Sequence, residues 1–254
     1  FENPYTEYKN PESCYLKDEY LNIAEQLAIE SMVLLKNDNV LPLTSRKKIY
    51  VTGNLLNDQQ ALLGSWSHRG RDEDVVNIQE GLENKDFKPE KISFVKNAKF
   101  ADIILLCIGE EKHMSGENGT RSTLKLHNEH LIDEYAKFGK KIILVTGSGR
   151  PISYQDIEHK VDAILHIWQP GTTTGNALAK ILYGIESPSG KLAMTFPRTV
   201  GQVPIFYNKN QSARVGDRNW SGLYQDIEST PMYEFGYGLS YTTFKYDDLS
   251  FDEE

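Results

Sequence analysis

The sequence predicts an α/β fold: a three-layer α/β/α sandwich with a mostly parallel sheet, followed by a loop-rich C-terminal part. Three observations predict it. Apolar runs at 103–108, 142–146 and 163–167 show no polar alternation, as expected of parallel strands covered by helices on both faces. Helical periodicities at 127–138 and 175–183 are interleaved with these runs, the alternation of a layered α/β fold. From residue 184 onward helical periodicity weakens and Gly, Pro and Tyr become frequent, which reads as loops with short, antiparallel strands.

Taken in order, residues 1–18 hold two prolines and no periodicity, and read as a connecting segment. A helix is predicted over 19–37. There Tyr20, Ile23, Ala24, Leu27, Ser31, Leu34 and Leu35 recur at spacings of three and four and define a buried face. Asn37, Asp38, Asn39 and Pro42 end it. Residues 49–53 and 92–95 read as strands, with a helix at about 75–83 between them. Leu131, Tyr135 and Phe138 share a face of the helix at 127–138, as do Ala177, Leu178, Ile181 and Leu182 at 175–183. In an open sheet of this kind ligands gather beyond the C-terminal ends of the strands.

Composition limits the function classes. Lys and Arg number 28 against 36 Asp and Glu, a net charge of −8. Phosphate attraction needs a basic face, so neither nucleic acid nor a membrane surface is an expected partner. No apolar run approaches the ~20 residues of a transmembrane helix. The 254 residues suit one large domain or two small ones. The chain opens on Phe1 without a signal pattern and reads as a piece of a longer protein. Cys14 and Cys107 give no disulfide framework. Cys107, inside an apolar run, is expected in the core.

Cofactor motifs fail on inspection, so no cofactor is expected. Gly147-Ser148-Gly149-Arg150-Pro151 follows a strand, but the third glycine of a dinucleotide loop would fall on Ile152. The run from Gly184 to Lys191 has its glycines one residue too far apart for a phosphate loop, and Leu192 replaces the magnesium-binding hydroxyl. His127 and His130 have no third ligand spaced with them, so no metal is expected. No G-x-S-x-G elbow is present.

Two segments carry more. The loop after the strand at 103–108 is Gly-rich and offers three carboxylates, Glu110, Glu111 and Glu117, at the sheet end where sites form. Trp66 lies in a Gly/Ser loop, read as following another strand. An aromatic there can stack on a sugar ring or pack at a loop edge.

These pieces, in order along almost the whole chain, resemble the C-terminal α/β domain of glycoside hydrolase family 3, the β-glucosidase type. The matching motifs include Leu63-Gly64-Ser65-Trp66, Ser115-Gly116-Glu117 with Arg121, Ser148-Gly149-Arg150-Pro151, and Pro170-Gly171 with Gly175-Asn176-Ala177. Further along, Thr195-Phe196-Pro197 and the run from Phe235 to Tyr241 also match. Two places depart from the family pattern: Leu126-His127 where a Leu-Pro pair is usual, and the three threonines between Gly171 and Gly175.

The resemblance implies a retaining β-glycosidase, acting on terminal non-reducing β-D-glucosyl residues of a β-linked glucoside or oligosaccharide. In that family the nucleophile comes from an N-terminal (β/α)8 barrel of the same protein, and the acid/base is a glutamate of this domain. The matching position is Glu117, with Glu110 and Glu111 as the alternatives. Trp66 matches an aromatic packing on the leaving-group sugar, with Glu110 and Arg121 as supporting residues. The implied division is a linker at 1–18, the α/β domain at 19–243, and the start of a fibronectin-type-III-like domain at 244–254. The resemblance also suggests a bacterial periplasmic or secreted location. Without the barrel the fragment is expected to be inactive or nearly so. The alternatives are a non-catalytic carbohydrate-binding or structural module, and a nucleotide-binding domain disfavoured by the failed glycine patterns.

Overall fold

The first helix, α1 (Asp18–Ser31), opens with Asp18 and Glu19 in its first turn, where negative charge opposes the positive helix end. It stops at Met32, and the chain turns directly into strand β1 (Val33–Asn37). The helix predicted over 19–37 is thus a helix followed by a strand. Val33, Leu34 and Leu35 are all buried, so they leave no alternation to tell a strand from a helix. The predicted buried face is also corrected. Tyr20, Ile23 and Leu27 are exposed, while Ala28 and Ile29 are buried. The apolar positions of α1 fall into two stripes. The one carrying small residues, Ala24 and Ala28, packs toward a later helix, helped by an ion pair from Glu25 to Lys180.

This computed structural model describes residues 2, 15–68, 70–117, 119–208, 224–245, 247–248 and 250. Most of the expected connecting segment (1 and 3–14, including Cys14), and 246, 249 and 251–254 of the expected fibronectin-type-III-like start, lie outside the described residues.

Strands β2 (Lys47–Thr52), β3 (Ile92–Phe94), β4 (Ile103–Gly109), β5 (Lys141–Gly147) and β6 (Ala163–His166) complete a six-stranded sheet in the order β1-β6-β5-β4-β2-β3. All pairs are parallel except β1–β6. The chain moves outward from β2 to β3, then crosses back to β4 and continues the other way, so the order reverses between β2 and β4. The crevice beyond that reversal is where an open α/β sheet binds ligands.

Side chains alternate between two cores. Along β4, Ile103, Leu105 and Cys107 enter one, and Ile104, Leu106 and Ile108 the other. Helices α1, α3 (Ile78–Glu83) and α5 (Thr174–Leu182) cover the first face. On α5, Ala177, Leu178, Ile181 and Leu182 are buried as the spacing predicts. Asn77 caps α3 by accepting from the Glu80 backbone, while the Glu80 side chain accepts from the Asn77 backbone N–H. The second face is covered by α4 (His130–Ala136) and by loop residues Leu192, Phe196 and Tyr233. Of the residues predicted to bury α4, Phe138 is exposed, and Ile132 provides the buried contact instead. The three layers are present, with loop serving as part of one outer layer.

Beyond residue 184 the expected short strands reduce, among the described residues, to isolated antiparallel bridges, Leu34 with Leu239 and Phe196 with Tyr233. Tyrosines tie this segment down. The Tyr237 hydroxyl donates to Leu35 O (3.1 Å) and that of Tyr241 to Ile181 O (2.9 Å).

Candidate functional site

Register places the site. Gly109 pairs with Gly147 at the last rung of β4 and β5, and Glu110 N donates to Gly147 O (2.9 Å) one step beyond. The exits of β4 and β5 therefore leave the sheet together. Asn54, in the loop after β2, holds Gly109 through both its backbone groups (3.0 and 3.2 Å), so three exits converge on one edge.

Trp66 does not directly follow a strand. A short helix, α2 (Gln59–Leu63), intervenes, capped by Asp58 accepting from Ala61 N (2.9 Å). Gly64 ends it at φ 80, a left-handed conformation that suits glycine. Ser67 then folds back onto Gly64 O through its backbone and hydroxyl. This tight turn holds Trp66 out, 73% exposed.

The acidic loop passes beside it. Lys112 reaches back to Gln60 of α2 (2.7 Å), and Met114 is buried beneath. Gly116, at φ 92, leaves no space for a side chain. A Cβ there would meet the Ser65 side chain, with its Cβ at 2.7 Å, and the Trp66 indole Nε1 at 3.5 Å. The bare glycine lets the Trp66 turn and the acidic loop touch. Glu117, the next residue, is exposed, and it makes no hydrogen bond or ion pair among the described residues. Trp66 and Glu117, far apart in sequence, thus stand on two touching loops at the C-terminal edge of the sheet.

The remaining carboxylates separate. Glu110 is 1% exposed, and its Oε1 accepts from Arg150 Nε (2.8 Å), with Nη2 2.7 Å away but off the hydrogen-bond direction. Glu111 is exposed and faces His127 and His113 at 3.8 and 3.7 Å. Arg121, expected as a supporting residue, is half-buried and has no hydrogen bond or ion pair among the described residues. Arg150 makes the anchoring contacts instead. It stands in the run that fails as a dinucleotide loop. The signal for it was an arginine at the exit of one parallel strand and a glutamate at the exit of its neighbour.

Two further polar residues, Ser115 and Gln169, went unmarked as site residues by sequence. Among the described residues, Ser115 Oγ and Gln169 Nε2 are buried without hydrogen-bond partners, as is Oε2 of Glu110, the carboxylate expected in a supporting role. Ser115 Oγ lies 2.5 Å and Gln169 Oε1 3.2 Å from where a Cβ on Gly149 would stand. Gln169 also presses on Gly64, its Cδ 2.6 Å from a Cβ there, so it bridges the Trp66 turn and the β5 exit. Among the described residues no cluster of His, Cys, Asp and Glu could hold a metal.

Residues 32–241 match the glycosyl hydrolase family 3 C-terminal domain. A periplasmic beta-glucosidase of Salmonella typhimurium is 33% identical over 89% of this chain, and a beta-xylosidase of Formosa agariphila is 34% identical over 90%. The chain spans 35% of the length of each. The crystal structure of a beta-glucosidase from Listeria innocua in complex with isofagomine is 31% identical, with a TM-score of 0.86 over 96% of this chain and 37% of that one. Sequence, fold and domain match agree: the chain belongs to glycosyl hydrolase family 3, as the C-terminal α/β domain of enzymes of the beta-glucosidase and beta-xylosidase type.

Proposed function

We propose that this domain supplies the general acid/base, Glu117, to a retaining β-glycosidase that releases terminal non-reducing β-D-glucosyl residues. The observation that carries the reading is an exposed carboxylate, unpaired among the described residues, on a loop touching the turn of an exposed Trp66, at the edge where three strand exits converge. A retaining enzyme needs a second carboxylate about 5–5.5 Å away across the scissile bond. In this reading it comes from a (β/α)8 barrel of the same protein. Glu117 as an acid protonates the glycosidic oxygen while the barrel carboxylate attacks the anomeric carbon. Glu117 as a base then takes a proton from the water that releases the sugar. Trp66 presents an apolar face to the leaving-group sugar.

The fragment and the whole protein, compared on an aryl β-glucoside, test this. Turnover is expected from the whole protein only, and clear turnover by the fragment would defeat the proposal. A sugar-binding module is the second reading, favoured by the exposure of Trp66. It requires that Glu117→Ala leave hydrolysis by the whole protein unchanged while Trp66→Ala weakens sugar binding.

A further inference from the structure

We infer that Arg150 is a positioning residue for Glu117, clamping both ends of the loop that carries it. The inference rests on the acid/base reading of Glu117. The loop leaves the sheet at Glu110 and returns to the fold at Thr123 and Leu124. One guanidinium holds both points. Its Nε donates to Glu110 Oε1 (2.8 Å), and its Nη1 donates to Thr123 O (2.6 Å). Ser153 N donates to Leu124 O (2.8 Å), extending the tie past the loop. The side chain of Glu110 is fully buried and that of Arg150 is 17% exposed, so the pair lies mostly out of water, where losing either partner strands the other.

The same turn seats the middle of the loop. Ser148 Oγ donates to Arg150 O (2.5 Å), fixing the turn. Gly149 leaves the space that Ser115 occupies, two residues before Glu117. Glu117 itself is held by no side chain among the described residues, so its place depends on the loop beneath it. A planar guanidinium can donate in two fixed directions at once, which an ammonium on a flexible stem does not reproduce. Proton donation to a leaving group requires hydrogen-bond reach. Slack in this loop therefore harms the reaction where the leaving group most needs a proton.

The test uses the whole protein with Arg150→Lys, Arg150→Met and Glu110→Gln, and Glu117→Gln as reference. kcat/KM is measured on phenyl and 2,4-dinitrophenyl β-glucosides, and amide exchange is followed across residues 111–122. For both Arg150 variants the expected loss is at least about tenfold greater on the phenyl than on the dinitrophenyl glucoside, within the range of general-acid contributions. Faster exchange confined to the loop should accompany it, with Lys milder than Met. Equal losses on both substrates, or unchanged loop exchange in Arg150→Lys, would overturn the clamp. If Glu117→Gln itself shows no leaving-group dependence, the acid/base reading falls instead. Loop exchange then judges the clamp alone. Should Arg150→Met fail to fold, Arg150→Lys and Glu110→Gln give the same comparison.

Discussion

Glu117 and Trp66 are the residues on which function is staked, and both stand clear of the core, so their substitution should spare stability. With Trp66 exposed, Trp66→Ala should shift folding stability by no more than ~0.5 kcal/mol. It should raise KM for a disaccharide in the whole protein. A lower Tm with unchanged KM would make Trp66 a packing residue. His166 is the opposite case. It is fully buried, with Nδ1 3.0 Å from both Thr146 Oγ1 and Tyr154 OH, and its ring meets Trp168 edge-on at 4.4 Å. Burial pushes its pKa from 6.5 down to about 3. The unfolded chain therefore takes up this proton first, and stability falls as pH drops from about 6.5 toward 3, by up to about 1.4 kcal/mol per pH unit. Above 6.5 it contributes no slope. Denaturant titrations of the wild type and His166→Gln at several pH values check this, the variant showing the shallower acid dependence. Cys107 is buried as its apolar run predicts, and its thiol is pushed up to about 12 by the loss of water. It should resist thiol reagents until the chain unfolds.

At the scale of elements, β4, β5 and β6 were legible because a parallel strand buried on both faces leaves a continuous apolar run in the sequence, and α5 because its buried apolar residues repeat at helical spacing. The junction of α1 and β1 was not legible, since Val33, Leu34 and Leu35 continue the helical spacing by coincidence and no cap or glycine marks the break. The choice of face on α1 failed because two apolar stripes compete, and what selects one is the small-residue fit against α5. Ile29→Ala should cost about 2–4 kcal/mol, whereas Leu27→Ala, at an exposed position, should cost no more than ~0.5 kcal/mol. Equal costs, read from urea unfolding, would restore the face first predicted. The site shows the same division. The acidic loop was legible by its position after β4. The Arg150 contacts were hidden because they depend on the register of β4 with β5, which no single segment encodes.

At the scale of the whole molecule, one sheet edge gathers the exits of β2, β4 and β5, and the chain spans 35% of the length of its curated relatives. In the function proposed above, such a domain presents half of a site, an aromatic platform and a carboxylate on loops that meet. Its chemistry becomes measurable in the protein that carries it. The most direct measurement is azide rescue of Glu117→Ala in the whole protein on 2,4-dinitrophenyl β-glucoside. That substrate needs little acid help to form the glycosyl-enzyme, and azide needs no base to attack it. The expected result is a rise in kcat with azide and formation of β-glucosyl azide. Wild-type turnover by Glu117→Ala without azide, or no rescue and no azide product, would contradict the assignment of Glu117 as the acid/base.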